Sequence, residues 1–343
     1  MSASATRQHA ARGGPQPAFL ITIDTEGDNL WGRPKQVTTE NLRFLPRFQQ
    51  LCESYGLKPT YLTDFDAARS DEFVEFGRDA VVRGRAEIGM HLHAWNTPPL
   101  VPLTGDDDAY QPYLMEYPEQ VLRDKVALMT NLLSERFGAA PRSHRAGRWA
   151  FNCVYARALV DHGYEVDCSV TPYTSWSDHG GNPAGAGGSD YRGYPARAYF
   201  VDTDDISRPG DSPLLEVPVS IMPCRIGIVN RVRERCSARS LVRRGLNRFY
   251  PPRTWFRPTV DNLEPMLAVM AWVRREGFDY IEFMLHSSEL MPGGSPNFAG
   301  VAEIERLYEN LATLFAAASG KFVGATLSEY RVQFASAPVG TGT

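Results

Sequence analysis

The chain has 343 residues, 43% of them hydrophobic and 22% charged, which is enough apolar material for one large packed domain and excludes a disordered chain. A formal net charge of −4 removes the global cationic field that nucleic-acid binding relies on, so any basic surface must be local. Five cysteines, Cys52, Cys153, Cys168, Cys224 and Cys236, form no CxxC pair and are too sparse for a disulfide scaffold, which points to a reducing compartment.

Residues 1–17 lack the apolar run of a secretory signal or a membrane span and read as a disordered tail on a cytoplasmic protein. Residues 335–343 read as a second tail, leaving one domain over 18–334. Ala18–Ile23 has the pattern of a strand buried on both faces. Thr39 then looks like an N-cap for a helix carrying Leu42, Phe44, Leu45, Phe48 and Leu51, with Pro46 near its first turn and Gly56 as its stop. The alternation continues as strand 58–63, helix 71–83, strand 86–91, helix 118–137, a short strand at Ser143, helix 151–162 and strand 164–169. After an interruption it resumes as helix 259–275, strand 280–285, helix 301–318 and strand 322–325. Such regularity argues for a parallel sheet with crossover helices, an α/β fold of the distorted (β/α) barrel type with about seven parallel strands.

The interruption, 171–258, reads as an irregular insertion with a Gly-rich loop at 180–188 and β segments near 199–202 and 214–220. Residues 231–248 then form a cationic helix candidate with seven arginines against Glu234. A solvated surface helix, a dock for an anionic glycan and a peripheral membrane contact all fit that pattern.

Chemistry concentrates at the ends of predicted strands. Asp24 and Glu26 are two apart, as are His91 and His93, and residues at i and i+2 of a strand share one face. Parallel barrels place active sites at the carboxyl ends of their strands, so the two pairs can meet there. Imidazoles with a carboxylate suit a divalent metal ion, zinc foremost, and leave a further acid to act as base. Neither His-x-His nor Asp-x-Glu is specific alone; their appearance together after consecutive strands carries the inference. Arg145, between a strand and a helix, can hold a carboxylate by a bidentate bond and lower its pKa. His286 ends an apolar strand and opens a Gly/Pro loop, placed as a general acid, with Asp167 available to orient it. His144 should point away from Arg145, and His9, His162 and His179 read as solvated or structural. Ser287 and Ser288 belong to no nucleophile elbow.

This ordered set resembles the NodB-homology polysaccharide deacetylases (carbohydrate esterase family 4 type), and most closely the subgroup similar to the lipopolysaccharide-biosynthesis protein WalW. The resemblance spans roughly 19–330 and rests on five blocks: Thr22 to Asp28, Glu87 to Pro99, His144 to Trp149, Asp167 to Ser169, and Leu285 to Leu290. It implies Asp24 as base, Glu26, His91 and His93 as metal ligands, Arg145 as holder of the base, His286 as acid and Asp167 as its support. It also implies an oxyanion-binding backbone N–H near Arg148, Trp149 beside the substrate, and Leu285 lining the acetyl-methyl pocket. Asp-x-Glu replaces the usual adjacent Asp-Asp, so base and ligand can be exchanged between Asp24 and Glu26. Trp95 stands where the second histidine usually falls, four after the first.

The implied activity is hydrolysis of an N- or O-linked acetyl group on a sugar of a polysaccharide or lipopolysaccharide precursor. Two alternatives remain: a hydrolase of a small cyclic amide, and a glycan-binding protein without turnover. The second draws on Tyr173, Trp176, Tyr191, Tyr194 and Trp255, which can stack on sugar rings or pack in a core.

Overall fold

The computed structural model describes residues 16–28, 30–32, 36–224, 226–236 and 240–336. The expected tails therefore lie almost wholly outside the described residues, except that 16–17 lead into the first strand, where the Pro17 carbonyl accepts from the Val323 N–H (3.1 Å), and 335–336 end a helix, Leu327–Ser336. Strand β1 (Ala18–Thr25) carries the long apolar run and is buried throughout. The chain then forms β2 (Pro59–Thr63), β3 (Glu87–Leu92), β4 (Ser143–Ala146), β5 (Val166–Asp167), β6 (Tyr199–Phe200), β7 (Leu215–Glu216), β8 (Ile221–Pro223), β9 (Arg253–Trp255), β10 (Tyr280–His286) and β11 (Val323–Ala325).

Among the described residues one sheet runs in the order β10-β1-β2-β3-β4-β5-β7-β6, parallel except for β6 against β7. β1 is its hub: β10 lies along one side, while β11 pairs with Ala18–Leu20 and β2 with Ile21–Thr25. The sheet curls into a distorted, incomplete β/α barrel. Its open edges are drawn together by the segment after β7, where the Pro218 carbonyl accepts from Tyr280 Oη at 2.7 Å and Ser220 Oγ accepts from the Glu282 N–H at 2.9 Å.

Strand alternation sorts the side chains into two layers. Phe19, Ile21, Ile23, Met90, Phe283 and Leu285 face outward into the main core, against helices Leu45–Ser54, Asp71–Val82, Glu119–Phe137, Cys153–Asp161, Leu263–Arg275 and Val301–Ala318. Leu20, Leu62, Val166, Cys168, Leu215 and Tyr280 point the other way and plug the floor of the lumen. Each such side chain contributes roughly 1.5–3 kcal/mol on burial, so a one-residue register slip, which would exchange the two layers, is strongly disfavoured.

The elements follow the sequence reading with shifts of a few residues and four larger differences. The helix expected behind Thr39 begins as a 3-10 turn, Glu40–Phe44, and becomes α-helical at Leu45 with Pro46 in its first turn. The strand expected over 164–169 shrinks to β5. The interruption is not wholly outside the barrel, because β7 adds a parallel strand beside β5. Its cationic helix is two helices, Gly227–Arg235 and Leu241–Phe249, inserted between β8 and β9, which form their own antiparallel ribbon.

Candidate active site at the strand ends

Above the apolar floor the lumen turns polar. Arg145 on β4 is fully buried, and its guanidinium donates to Asp24 Oδ1 (2.6 Å), Thr22 Oγ1 (2.7 Å), the Cys168 carbonyl (3.2 Å) and Glu282. Burial opposes ionisation of Asp24, but Arg145, with His91 and His286, outweighs it and holds the carboxyl below the usual range. Burial pushes Glu282 up, and its Oε2 has no hydrogen-bond partner among the described residues. Sequence reasoning passed over Glu282. The signal was present: an acid in an apolar strand, four before His286 and so on the same face.

Glu26 lies just past β1, and a polar clamp keeps it in line. Its N–H donates to Ser287 Oγ (3.1 Å), its carbonyl accepts from Asn41 Nδ2 (2.9 Å), and the next N–H, that of Gly27, donates to Asp64 Oδ2 (3.4 Å). Burial pushes Asp64 up to about 8, helped by Asp66 and Glu26. Glu26 Oε2 stands 2.9 Å from His93 Nε2 and 3.6 Å from His91 Nε2, and the two nitrogens are 3.1 Å apart. A tetrahedral site with bonds of ~2.1 Å has edges of about 3.4 Å, so this buried triangle is the size of one face of such a site. The Arg145 carbonyl can only accept, so His91 Nδ1 donates to it (3.0 Å), leaving the His91 Nε2 lone pair aimed at the triangle. His93 fits beside Gly147 because a Cβ there would meet His93 Nδ1 at 2.5 Å. The donor set thus fits a divalent ion. The carboxyl of Glu26 is held far below its usual range: burial opposes this, and hydrogen bonds from His91 and His93 outweigh it.

His286 faces the same space from β10, paired in register with Asp24. Its Nε2 is 3.7 Å from Asp24 Oδ2 and 3.9 Å from Glu26 Oε1. Its Nδ1 accepts from Arg257 Nη2 (2.9 Å) and lies 3.3 Å from Glu289, which also takes the His286 backbone N–H (2.9 Å). Arg257 and Glu289 in turn pair at 2.9 Å. Neither residue stood out in the sequence, where Arg257 had no motif and Glu289 read as part of a family block.

Two expected residues are elsewhere. Asp167 does not support His286: its neighbours Val166 and Cys168 face the lumen floor, so its carboxylate points outward, to His144 Nδ1 (2.6 Å) and Ser169 Oγ (2.9 Å). His144, also bonded to Tyr155 (2.7 Å), is the structural histidine expected. Leu285 does not line an acyl pocket. One residue from His286 on a strand, it faces the opposite layer and is wholly buried in the main core.

A cavity of about 300 Å³ opens over Asp24, Glu26, His91, His93 and His286, with Trp95, Arg148, Trp149, Trp176 and His179 in its walls. Trp95 packs against His93 with ring centroids 4.4 Å apart. Arg148 and Trp149 both have positive φ, 55° and 60°, a conformation costing non-glycine residues about 1–3 kcal/mol each and persisting where surroundings enforce it. Those surroundings include Arg148 Nη2 donating to the Gly180 carbonyl (2.8 Å) and Tyr191 Oη donating to the Trp149 carbonyl (2.5 Å). Past Trp149, Trp176 and Arg257 the cavity meets a groove of about 630 Å³ whose walls include Arg253, Thr254 and Trp255. The aromatic set therefore divides: Tyr191 is core and Tyr194 packs on it, Tyr173 packs beside Val219 and Met284, and Trp176 and Trp255 line the groove, Trp255 with one side against that same cluster.

No family model and no curated protein matches the chain. Among solved structures, a provisionally assigned polysaccharide deacetylase from Mycobacterium smegmatis superposes with a TM-score of 0.53 at 17% identity, over 94% of this chain and 92% of its own. A provisionally assigned glycoside hydrolase/deacetylase from Parabacteroides distasonis gives 0.56 at 12%, over 93% and 71%. PuuE allantoinase gives 0.52 at 13%, over 98% and 99%. At such identities the likeness is one of fold, the curled parallel-strand barrel that these proteins share with this chain.

Proposed function

We propose that the protein is a divalent-metal-dependent hydrolase that removes an N- or O-linked acetyl group from a sugar of a polysaccharide or lipopolysaccharide precursor. One observation carries the reading: Glu26, His91 and His93 converge on a metal-sized triangle while Asp24, held by Arg145, and His286 face the same cavity. Zinc is the ion this donor set suits best. When bound, it supplies Lewis acidity, polarising an acetyl carbonyl and making water a stronger acid.

The remaining chemistry belongs to the chain. Asp24 takes the proton of the attacking water through Oδ2, since Oδ1 is committed to Arg145. This favours Asp24 as base and Glu26, already among the imidazoles, as ligand. As water oxygen bonds to the carbonyl carbon, the strained backbone at Arg148 and Trp149 is available to the developing oxyanion. Collapse breaks the C–N or C–O bond and releases acetate, and His286 Nε2 gives its proton to the departing amine or hydroxyl. The acid is the imidazolium, because a neutral imidazole giving up Nε2–H would leave an imidazolate; its Nδ1–H then donates to Glu289 Oε2, 3.3 Å away, in place of accepting from Arg257. Arg257 and Glu289 thus replace Asp167 as supports. The groove past Trp149 favours an extended glycan over a small cyclic amide. All five cysteines are unpaired, which supports a reducing, cytoplasmic setting.

The test is acetate release from N- and O-acetylated oligosaccharides by protein stripped with a chelator and reloaded with zinc. Release should require the reloaded ion, and His286→Ala should lower kcat by about 10²–10⁴ with little change in KM. Unchanged turnover in that variant would dismiss the acid role. Glycan binding without hydrolysis or metal affinity would favour a binding module.

A further inference from the structure

The two helices between β8 and β9 are built inside out. Arg233 of the first helix is buried between them, its guanidinium donating to Asn247 Oδ1 (3.0 Å), Asn230 and the Tyr250 carbonyl. Asn230 Nδ2 also donates to the Cys224 carbonyl (2.6 Å), and the Cys224 N–H donates to the Pro252 carbonyl (2.9 Å), fixing the hairpin to the β8–β9 ribbon. Val229 apart, polar groups hold the interior, and most of the large apolar side chains are outside. Leu241 is 80% exposed, Phe249 77%, and Ile228, Val232 and Val242 are exposed as well. Of fourteen large hydrophobic residues exposed among the described ones, seven fall within 226–250.

At 100° per residue, Leu241, Val242, Leu246 and Phe249 occupy one arc of the second helix, and Arg243, Arg244, Asn247 and Arg248 the opposite one. Over 226–250 the sequence has seven arginines against one glutamate, in a chain whose overall formal charge is negative. Water gives no reason to place leucine and phenylalanine outside a polar staple. An interface with an apolar depth and anionic headgroups does. The helices are nine residues each, and no helix among the described residues is long and apolar enough to cross a membrane, so the geometry suits a helix lying on a surface.

We propose that residues 226–250 are a membrane-docking hairpin whose partner is an anionic lipid bilayer. The chain leaving the hairpin, Pro251 to Trp255, forms a wall of the groove that adjoins the active-site cavity. Docking therefore brings the mouth of that groove to the lipid surface, where a lipid-carried glycan would be presented. The binding claim stands apart from the hydrolase reading, since vesicle binding requires no turnover.

The experiment is co-sedimentation of the full chain with vesicles of phosphatidylcholine alone and of phosphatidylcholine containing about one third phosphatidylglycerol. The wild type should bind the anionic vesicles and not the neutral ones, with affinity falling as salt rises. Arg244→Ser with Arg248→Ser should weaken partitioning about thirtyfold, from ~1 kcal/mol per arginine near such a surface. Leu241→Ser with Phe249→Ser should abolish sedimentation while leaving the far-ultraviolet circular dichroism unchanged. Absence of wild-type binding, or undiminished binding by the Leu241/Phe249 variant, overturns the proposal. So does a concentration-dependent dimer in solution that the Leu241/Phe249 variant abolishes.

Discussion

The barrel mouth and the inserted hairpin break the same rule in opposite directions. At the mouth, charged groups lie where apolar ones are expected, and each is paired: Asp24 with Arg145, Glu26 with His93, Glu289 with Arg257. On the hairpin, apolar groups lie where charged ones are expected, around a buried arginine. A buried charge is tolerated only when something outweighs its desolvation, and an exposed apolar face persists at no structural gain. The first departure is therefore tied to the fold's own stability, and the second can be removed without disturbing it.

Mutations sharpen that contrast. Asp24→Asn should lower kcat by about 10²–10⁴ in steady-state deacetylation, whereas hairpin variants should leave hydrolysis of a soluble substrate intact. Arg145→Met strands buried carboxylates and should cost about 3–5 kcal/mol in denaturant unfolding. Because Arg145 holds Asp24 down, its loss should also move the acidic limb of the pH–kcat/KM profile to higher pH. Glu289 offers a stability test. Burial opposes its charge, but Arg257 and His286 hold it at about 2, against an ordinary 4.5. Between those values the unfolded chain binds more protons. Its contribution, about 3 kcal/mol, is therefore present above 4.5 and lost as pH falls through about 2. Glu289→Gln should flatten the pH dependence of unfolding in that window; an unaltered slope would mean the Arg257–Glu289–His286 group is not held as described. At the small end, Leu241→Ser with Phe249→Ser should change stability by no more than ~0.5 kcal/mol per site. A larger loss would show that these side chains pack against something, and would erase the contrast.

Long strands were legible in the sequence because period and composition agree over many residues. β1, β3 and β10 fell close to where expected, and with them Asp24, Glu26, His91, His93 and His286 came to one cavity. β6 and β7 fall within the β segments expected near 199–202 and 214–220, but at two residues each they carry no period that tells partner or direction, so the place of β7 as the eighth parallel strand was hidden. The errors at Asp167 and Leu285 have one cause. The role of Leu285 followed from family resemblance and that of Asp167 also from its place at a strand end, and strand alternation turns both side chains toward the helices. The same alternation would have found Glu282. Arg257 could not have been found, because it reaches His286 only through the tertiary path of the insertion. Ser287, set aside as a nucleophile, acts instead through its hydroxyl, which receives the Glu26 N–H.

The proposed shared cation is open to direct measurement by elemental analysis of the purified protein. The wild type should hold about one equivalent of divalent metal, and His91→Ala and His93→Ala should each lower affinity at least tenfold, as expected when one of three ligands is removed. Wild-type protein that takes up no divalent ion even when zinc is supplied, or a double variant that binds it undiminished, would contradict the convergence of Glu26, His91 and His93 on a metal.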